Sequence, residues 1–182
     1  MEGTRGPVAL DLNADAGDQS VVQIAAKAGD SVTLDVVVTE GGSGLNGFNV
    51  NLTFDPTMLA YERFATSDVF SGGIVIESKD KLDQGQVGIA VAFFGATTTG
   101  KDAGTMGQAI FTVLDGFSNE ARVSLVSGQL ATGGVAADVT VGPGGSFVVI
   151  GGVVAPLVPE DPIEAADIDG DGSVGFSDFI TC

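Results

Sequence analysis

Apolar and polar residues alternate with a period of two along much of this chain. In the segments 31–39, 48–54 and 87–93, apolar side chains occupy every second position and polar or small side chains occupy the positions between them. A period of two places successive side chains on opposite faces of a strand, so each segment is typical of a strand with one buried face. We expect further strands at 8–12, 21–25, 74–78, 108–114, 122–126, 139–141 and 146–150.

Turn-forming residues separate these segments. Clusters of Gly, Asn, Asp and Pro occur at 41–44, 55–56, 95–104, 133–134 and 142–145, and such clusters mark turns. Many short strands at regular spacing predict an all-β fold, a two-sheet antiparallel β-sandwich, in which only a turn at 56–60 is helical. The alternation also predicts that Asp35 faces solvent from its strand and that Asp55 belongs to an Asp-Pro turn.

Oxygen-bearing side chains recur at fixed spacing near the C-terminus. Residues 167–178 form a twelve-position pattern with oxygen ligands at positions 1, 3, 5 and 12 and a glycine at position 6. A calcium ion needs about six to eight oxygens, and the residue at position 7 supplies its backbone carbonyl. The pattern predicts an EF-hand-like Ca²⁺ loop that ends in one helical turn. The expected metal ligands are Asp167, Asp169, Asp171, Ser173 and Asp178.

Two alternatives accompany this prediction. An acidic surface turn without a metal would explain the same residues less well. Residues 11–18 also begin like a calcium loop, but Ala16 replaces the glycine and Val22 replaces the last acid. We interpret this second segment as a strand end and a turn, with a second ion as the alternative.

Composition narrows the classes of function. The 182 residues carry a net charge of −17, from 24 acids and 7 bases, and no base follows Arg122. Nucleic acids and anionic membranes both require a basic surface, so neither is expected as a partner. No stretch is long enough to span a bilayer.

Catalysis is the least favoured function. The chain has no His, which removes the commonest general base. Cys182 is the single cysteine, so no internal disulfide can form. Carboxylates are plentiful, but nothing in the sequence singles out a catalytic pair. We therefore predict no catalytic residues.

Residues 28–38 and 44–59 resemble the opening strands of a cohesin domain, in which an apolar strand ends at an Asp-Pro turn. Residues 107–113 and 144–149 resemble the closing strands of that family, so the resemblance covers about residues 8–152. It implies a cohesin-like jelly-roll sandwich. Residues 167–178 resemble a repeat of a dockerin, the calcium-folded partner that docks on one face of a cohesin.

The resemblance differs from the usual pattern at two points. A dockerin carries two such loops, whereas this chain contains one, which makes a half module. Recognition residues of dockerins lie at loop positions 10 and 11, and here these are Phe176 and Ser177. The resemblance therefore implies Phe176 and Ser177 as partner contacts, and the bulky Phe176 favours an apolar contact. The alternative for Phe176 is that it packs inside its own module.

These patterns predict four segments. Residues 1–7 form an N-terminal extension, 8–152 the sandwich, 153–163 a Pro-containing linker and 164–182 the calcium loop. The linker is extended because of its prolines, yet it is also apolar. We expect Val154 and Leu157 to pack against another surface, either the chain's own sandwich or the sheet edge of another chain.

A chain that carries both a receptor-like sandwich and a ligand-like loop favours head-to-tail assembly, since a contact that does not close makes a filament. Our first hypothesis is an extracellular structural or adhesive protein that assembles with copies of itself in Ca²⁺. Residues 1–6 precede no apolar run, so we expect a secreted product whose signal peptide has been removed. The alternatives are a scaffold or cell-surface module that binds a different cohesin- or dockerin-bearing protein, and a carbohydrate-binding module. The chain has no Trp and one Tyr, which disfavours the last.

Overall fold

The computed structural model describes residues 5–151. Eleven strands and two short 3-10 helices, Asp68–Phe70 and Leu82–Gln84, make up the regular structure of these residues. The strands are β1 Val8–Asp11, β2 Gln23–Ile24, β3 Ser31–Val38, β4 Gly47–Phe54, β5 Leu59–Thr66, β6 Ile74–Ser78, β7 Gln86–Ala92, β8 Gly104–Val113, β9 Glu120–Thr132, β10 Val135–Val139 and β11 Phe147–Gly151.

The strands form two sheets that pack face to face. The small sheet has the order β1-β3-β8-β5, and the large sheet has the order β2-β11-β9-β4-β7-β6, with β10 paired to β9. The prediction of an all-β two-sheet sandwich is confirmed. One strand pair differs from the predicted antiparallel arrangement: β11 runs parallel to β2, with Val149 opposite Gln23.

The inward faces of both sheets are apolar, as the alternation predicts. Phe111 of β8 is fully buried and contacts Phe54 and Tyr61 edge to face, at ring-centroid distances of 5.3 and 5.5 Å. Phe48 of β4 contacts Phe70 in the same way at 4.8 Å. Edge-to-face aromatic pairs add to the free energy gained from area burial. The core is therefore built on aromatic side chains contributed by both sheets.

Strand β5 escapes the sequence prediction, which places only a turn at 56–60 in this region. Leu59, Tyr61 and Phe64 point into the core, so the sequence separation between successive buried residues changes from two to three. The pairing of β5 with β8 shifts register between Tyr61 and Arg63, which is a β-bulge. The extra residue interrupts the alternation of apolar and polar positions, so the alternation does not predict this strand.

The prediction that Asp35 faces solvent is wrong. Asp35 does lie on the outward side of the small sheet, but none of its surface is exposed. Residues 12–21, here called the cover loop, reach across this side, and the backbone N–H of Gly17 donates to Thr105 Oγ1 of β8 at 2.9 Å. Asp55 does lie in a turn, as predicted, and accepts a hydrogen bond from the backbone N–H of Thr57.

No helix within residues 5–151 is long and apolar enough to cross a membrane. The predicted linker 153–163 and the predicted calcium loop within 164–182 lie outside the described residues, as do residues 1–4.

The aromatic core gives a first prediction. Phe111→Ala removes a buried ring between Phe54 and Tyr61, and we expect the free energy of unfolding to fall by about 3–5 kcal/mol. Urea denaturation followed by circular dichroism measures the change. Phe94→Ala is the matched control, because the Phe94 side chain is 81% exposed and its loss should change stability by less than about 0.5 kcal/mol. Equal losses in both variants would contradict this description of the core.

Candidate functional site

The outward side of the large sheet carries a row of very small side chains. Gly88, Ala90 and Ala92 occupy the outward positions of β7, between β6 on one side and β4 on the other. We call this row the trough. Neighbouring strands lie about 4.8 Å apart, so the walls of the trough are separated by about 10 Å.

Cross-strand register identifies the walls. Ile76 of β6 and Asn49 of β4 both pair with Ala90, so they lie on opposite sides of it. One step along the strand, Ser78 and Asn51 flank Gly88 in the same way. The trough thus has an aliphatic wall that ends in a hydroxyl and a second wall of amides.

The trough opens into concave spaces at its two ends. The space beside Gly88 has a volume of about 380 Å³, and its lining includes Asn51, Ser78 and Val126 together with the charged residues Asp80 and Lys81. A space of about 430 Å³ lies beside Ala92 at the other end. A Cβ atom added at Gly88 would lie 3.1 Å from Asn51 Oδ1, so the absence of a side chain there keeps the space open.

Large apolar side chains concentrate on this side of the molecule. Among residues 5–151, seven large hydrophobic side chains are exposed, and four of them belong to outward positions of the large sheet. These four are Ile74, Ile76, Val126 and Phe147. Exposed apolar groups gathered on one face mark an interaction surface, whereas single scattered ones do not. The concentration therefore identifies the outward side of the large sheet as the candidate site.

Val126 reaches this face because of a second β-bulge. The pairing of β4 with β9 shifts register between Asn51 and Leu52, so that Ser127 pairs with Asn51 and Leu125 pairs with Leu52. Val126 is left between them and is 59% exposed. Bulges re-aim side chains next to functional sites, and this one adds an apolar side chain to the rim of the trough.

Hydrogen bonds fix two of the amide side chains on the face. Asn51 Nδ2 donates to Ser127 Oγ at 2.8 Å, and Gln129 Nε2 donates to Asp138 Oδ1 at 2.7 Å. Each bond joins neighbouring strands, so these amides are held in place before any partner arrives. Amides positioned in advance cost less side-chain entropy when a partner binds.

The strand positions of the face from β6 to β9 carry no charged side chain, although the chain has a net charge of −17, and charged residues (Asp80, Lys81 and Asp138) lie only at its edges. The outward positions of β6, β7 and β4, and of β9 from Ser124 to Ala131, contain no Asp, Glu, Lys or Arg. Glu77 of β6 turns inward instead. Its Oε1 accepts hydrogen bonds from Tyr61 Oη at 2.5 Å and from the backbone N–H of Phe64 at 2.9 Å. Burial and the Glu77 carboxylate together raise the pKa of Tyr61.

The outward side of the small sheet is covered where β1 pairs with β3. Ala9 and Val37 point outward there, yet neither is exposed. The cover loop lies on one part of this side, and the backbone carbonyl of Gly145 accepts a hydrogen bond from the N–H of Leu10. The small sheet is therefore closed on its β1 side, whereas the trough of the large sheet is open.

The site residues predicted from the sequence lie outside the described residues. These are the metal ligands Asp167, Asp169, Asp171, Ser173 and Asp178 and the partner contacts Val154, Leu157, Phe176 and Ser177. They remain predictions. Within residues 5–151 no group of three or more His, Cys, Asp or Glu side chains is placed to hold a metal ion.

The segment 11–18 is a strand end and a turn, as its first interpretation predicts. Both carboxylate oxygens of Asp11 accept hydrogen bonds from backbone N–H groups, including those of Asn13 and Val21. The carboxylate closes the turn in this way.

Sequence reasoning missed most of the aliphatic wall of the trough. The alternation in 74–78 predicts strand β6 correctly, and two isoleucines occupy its alternate positions at 74 and 76. Two isoleucines on one face of a strand usually indicate burial, so the sequence alone does not reveal that this face is exposed. Only the pairing of the strands shows that Val75 packs against the core while Ile74 and Ile76 face outward.

Comparisons with known proteins agree with this architecture. The profile of the family described as "Cohesin domain" matches residues 19–140. No curated protein matches the chain significantly. Three solved structures share the fold at 10–14% sequence identity, and each was solved as a cohesin.

The first of these is a cohesin module from a family 33 glycoside hydrolase of Clostridium perfringens. It has 12% identity and a TM-score of 0.58 over 81% of this chain and 96% of that one. A type I cohesin of Clostridium thermocellum, solved in complex with a dockerin, has 10% identity and a TM-score of 0.60 over 81% and 99%. The sixth cohesin of scaffoldin B from Acetivibrio cellulolyticus, solved with a Cel5 dockerin mutant, has 14% identity and a TM-score of 0.57 over 76% and 93%.

Proposed function

This chain belongs to the cohesin domain family, and from that premise we propose that its sandwich binds a dockerin-like protein on the outward face of the large sheet. Cohesin domains are non-catalytic modules that mediate protein–protein interaction with dockerins. The observation that carries the choice of face is the open, uncharged trough of Gly88, Ala90 and Ala92 between an aliphatic wall and an amide wall.

The shape of the trough favours a partner element with a protruding side chain. Small residues on a sheet let another backbone or a ring approach closely. Ile74, Ile76 and Val126 supply apolar contact around that point, and Asn49 and Asn51 supply hydrogen-bonding groups. An apolar centre surrounded by polar groups is the usual arrangement of protein interfaces.

The lack of charged side chains on this face also reduces the electrostatic repulsion between this acidic chain and an acidic partner. A molecule with a net charge of −17 repels acidic partners, and a dockerin-like calcium loop is acidic. Removing charge from the contact surface itself limits that repulsion to longer distances, where salt screens it. The proposed interface therefore depends on apolar and amide contacts rather than on ion pairs.

The second proposed function is self-assembly of this protein outside the cell. It rests on the resemblance of residues 167–178 to a dockerin loop, which places a ligand-like element in the same chain as its receptor-like sandwich. In this proposal the calcium-loaded loop of one copy docks on the trough of the next copy, and Asp167, Asp169, Asp171, Ser173 and Asp178 hold Ca²⁺. Because such a contact is heterologous, repeating it builds a filament.

The face can be tested with one substitution. Ala90→Arg places a long charged side chain on the floor of the trough without entering the core, so we expect partner binding to fall at least tenfold. A carrier protein bearing residues 153–182, titrated in millimolar Ca²⁺ against the full chain that carries Asp171→Ala, gives the affinity by calorimetry. Because Asp171→Ala disables the calcium loop of the receptor chain, that loop cannot compete with the carrier for the trough.

Ala60→Arg is the matched control, because Ala60 also faces outward and is also half-buried, but in the small sheet. Its affinity should equal that of the parent receptor. Equal affinity for both Arg variants would reject the large-sheet face, whereas weaker binding only in Ala60→Arg would move the site to the other sheet.

Removal of the metal tests the calcium loop. Multi-angle light scattering of the full chain should show large species in millimolar Ca²⁺ that dissolve in excess chelator. Asp171→Ala removes a ligand oxygen at loop position 5, and we expect it to abolish these species. A monomer at high protein concentration in both conditions would reject self-assembly and favour a separate partner protein.

A volume exchange tests whether Phe176 contacts the trough. Ala90→Phe fills the trough and should weaken binding of the wild-type carrier at least tenfold, while Phe176→Ala on the carrier should weaken it through lost apolar contact. If the two side chains meet, the double variant should recover part of the loss, and the coupling should exceed about 1 kcal/mol. Additive losses would show that Phe176 lies elsewhere in the complex.

A further inference from the structure

Two carboxylates face each other on the outward side of the small sheet. Asp11 of β1 and Asp35 of β3 are direct cross-strand partners, and neither is exposed. Side chains at such a position have their Cβ atoms about 5 Å apart. Two negative charges held this close and away from water are costly, so the surroundings must favour at most one of them.

The charge of Asp11 is satisfied by the cover loop itself. Its two carboxylate oxygens accept hydrogen bonds from four backbone N–H groups. The donors are Asn13 at 2.9 Å, Gln19, Ser20 at 2.9 Å and Val21 at 3.1 Å. All four donors belong to the loop, so the Asp11 carboxylate holds the loop in its closed position.

Asp35 has fewer donors. Gln108 Nε2 donates to its Oδ1 at 3.0 Å, and Thr105 Oγ1 donates to its Oδ2 at 3.2 Å. Thr105 Oγ1 also accepts the N–H of Gly17, so one hydroxyl connects the loop to Asp35. Burial raises the pKa of Asp35 to about 6, the two hydrogen bonds oppose this, and the charge of Asp11 adds a smaller increase.

The basic side chain of Arg5 contacts the cover loop rather than Asp35. The guanidinium of Arg5 forms an ion pair with Asp18 at 2.7 Å and donates to the backbone carbonyl of Leu10. Strand β8 contributes the uncharged Thr105 and Gln108, and Ala65 of β5 pairs with Gln108. Asp11 is the one charged group that acts on Asp35 within the described residues.

We propose that Asp35 makes the cover loop a proton-controlled latch, which stays closed while Asp35 is neutral and opens more readily once Asp35 is ionised. An ionised Asp35 lies under the closed loop next to the charge of Asp11. Opening the loop hydrates Asp35, which relieves both the desolvation of its charge and the repulsion from Asp11.

The direction of the pH dependence follows from proton linkage. The closed loop holds the proton on Asp35 more tightly than the open loop, in which we expect the pKa to return to its ordinary value of 3.8. The extra stability of the closed loop is complete below pH 3.8 and is lost as the pH rises through about 6. With these two pKa values, the equilibrium constant for loop opening increases about tenfold between pH 5 and pH 7. Both pH values lie above the isoelectric point of about 4.1, at which a protein without net charge tends to precipitate.

Hydrogen exchange on the full chain tests the latch. The protection factors of the amides of Gly17, Gln19 and Ser20, corrected for the intrinsic effect of pH, should fall about tenfold from pH 5 to pH 7. The amide of Val50, at the centre of β4, reports global opening and should not show this fall. Asp35→Asn keeps the shape of the side chain but cannot ionise, so its loop should show the same protection at both pH values.

Two results would overturn the proposal. One is an unchanged pH dependence in Asp35→Asn, and the other is a wild-type loop whose protection does not vary with pH. If Asp35→Asn fails to fold, a carbon-13 titration of the Asp35 carboxyl in the wild-type chain decides instead. A midpoint near 6 that coincides with the change in exchange supports the latch, and a midpoint near 4 rejects it.

Discussion

The whole sandwich depends on a single constraint, which is that the inward positions of the four central strands are apolar. Strands β3, β8, β4 and β7 place aliphatic and aromatic side chains between the sheets, and Phe111 joins the two halves through its contacts with Phe54 and Tyr61. Because side chains alternate strictly along a strand, this choice of inward residues also determines what faces outward. Asn49, Asn51, Gly88, Ala90 and Ala92 lie on one surface because the residues between them are buried.

The same alternation explains which parts of the structure could be predicted. Regular segments such as β3, β4 and β7 follow the period of two, and their sequences predict both the strand and its buried face. The bulge between Tyr61 and Arg63 interrupts the period, and β5 is lost from the prediction. Asp35 shows a second limit, because the pattern correctly predicts the face on which it lies but contains no information about the loop that covers that face.

The candidate site could be predicted only in part, for a physical reason. The trough is visible in the sequence as Gly88, Ala90 and Ala92, but its walls come from β6 and β4, and strand order is a property of the folded chain. Val126 reaches the rim through a bulge that depends on pairing with β4. The absence of charge on this face is likewise clear only when distant segments are placed side by side.

The position of β11 has a mechanical consequence. This strand lies between β9 and β2, pairing through five residues with the first and two with the second. It is also the last described strand, so a force applied at Gly151 along the strand axis would load the lateral hydrogen bonds of β11. All of its lateral hydrogen bonds would then bear the load together in shear, rather than breaking one at a time as in peeling. Under a force in that direction, the pairing on both sides of β11 would resist its removal from the sandwich.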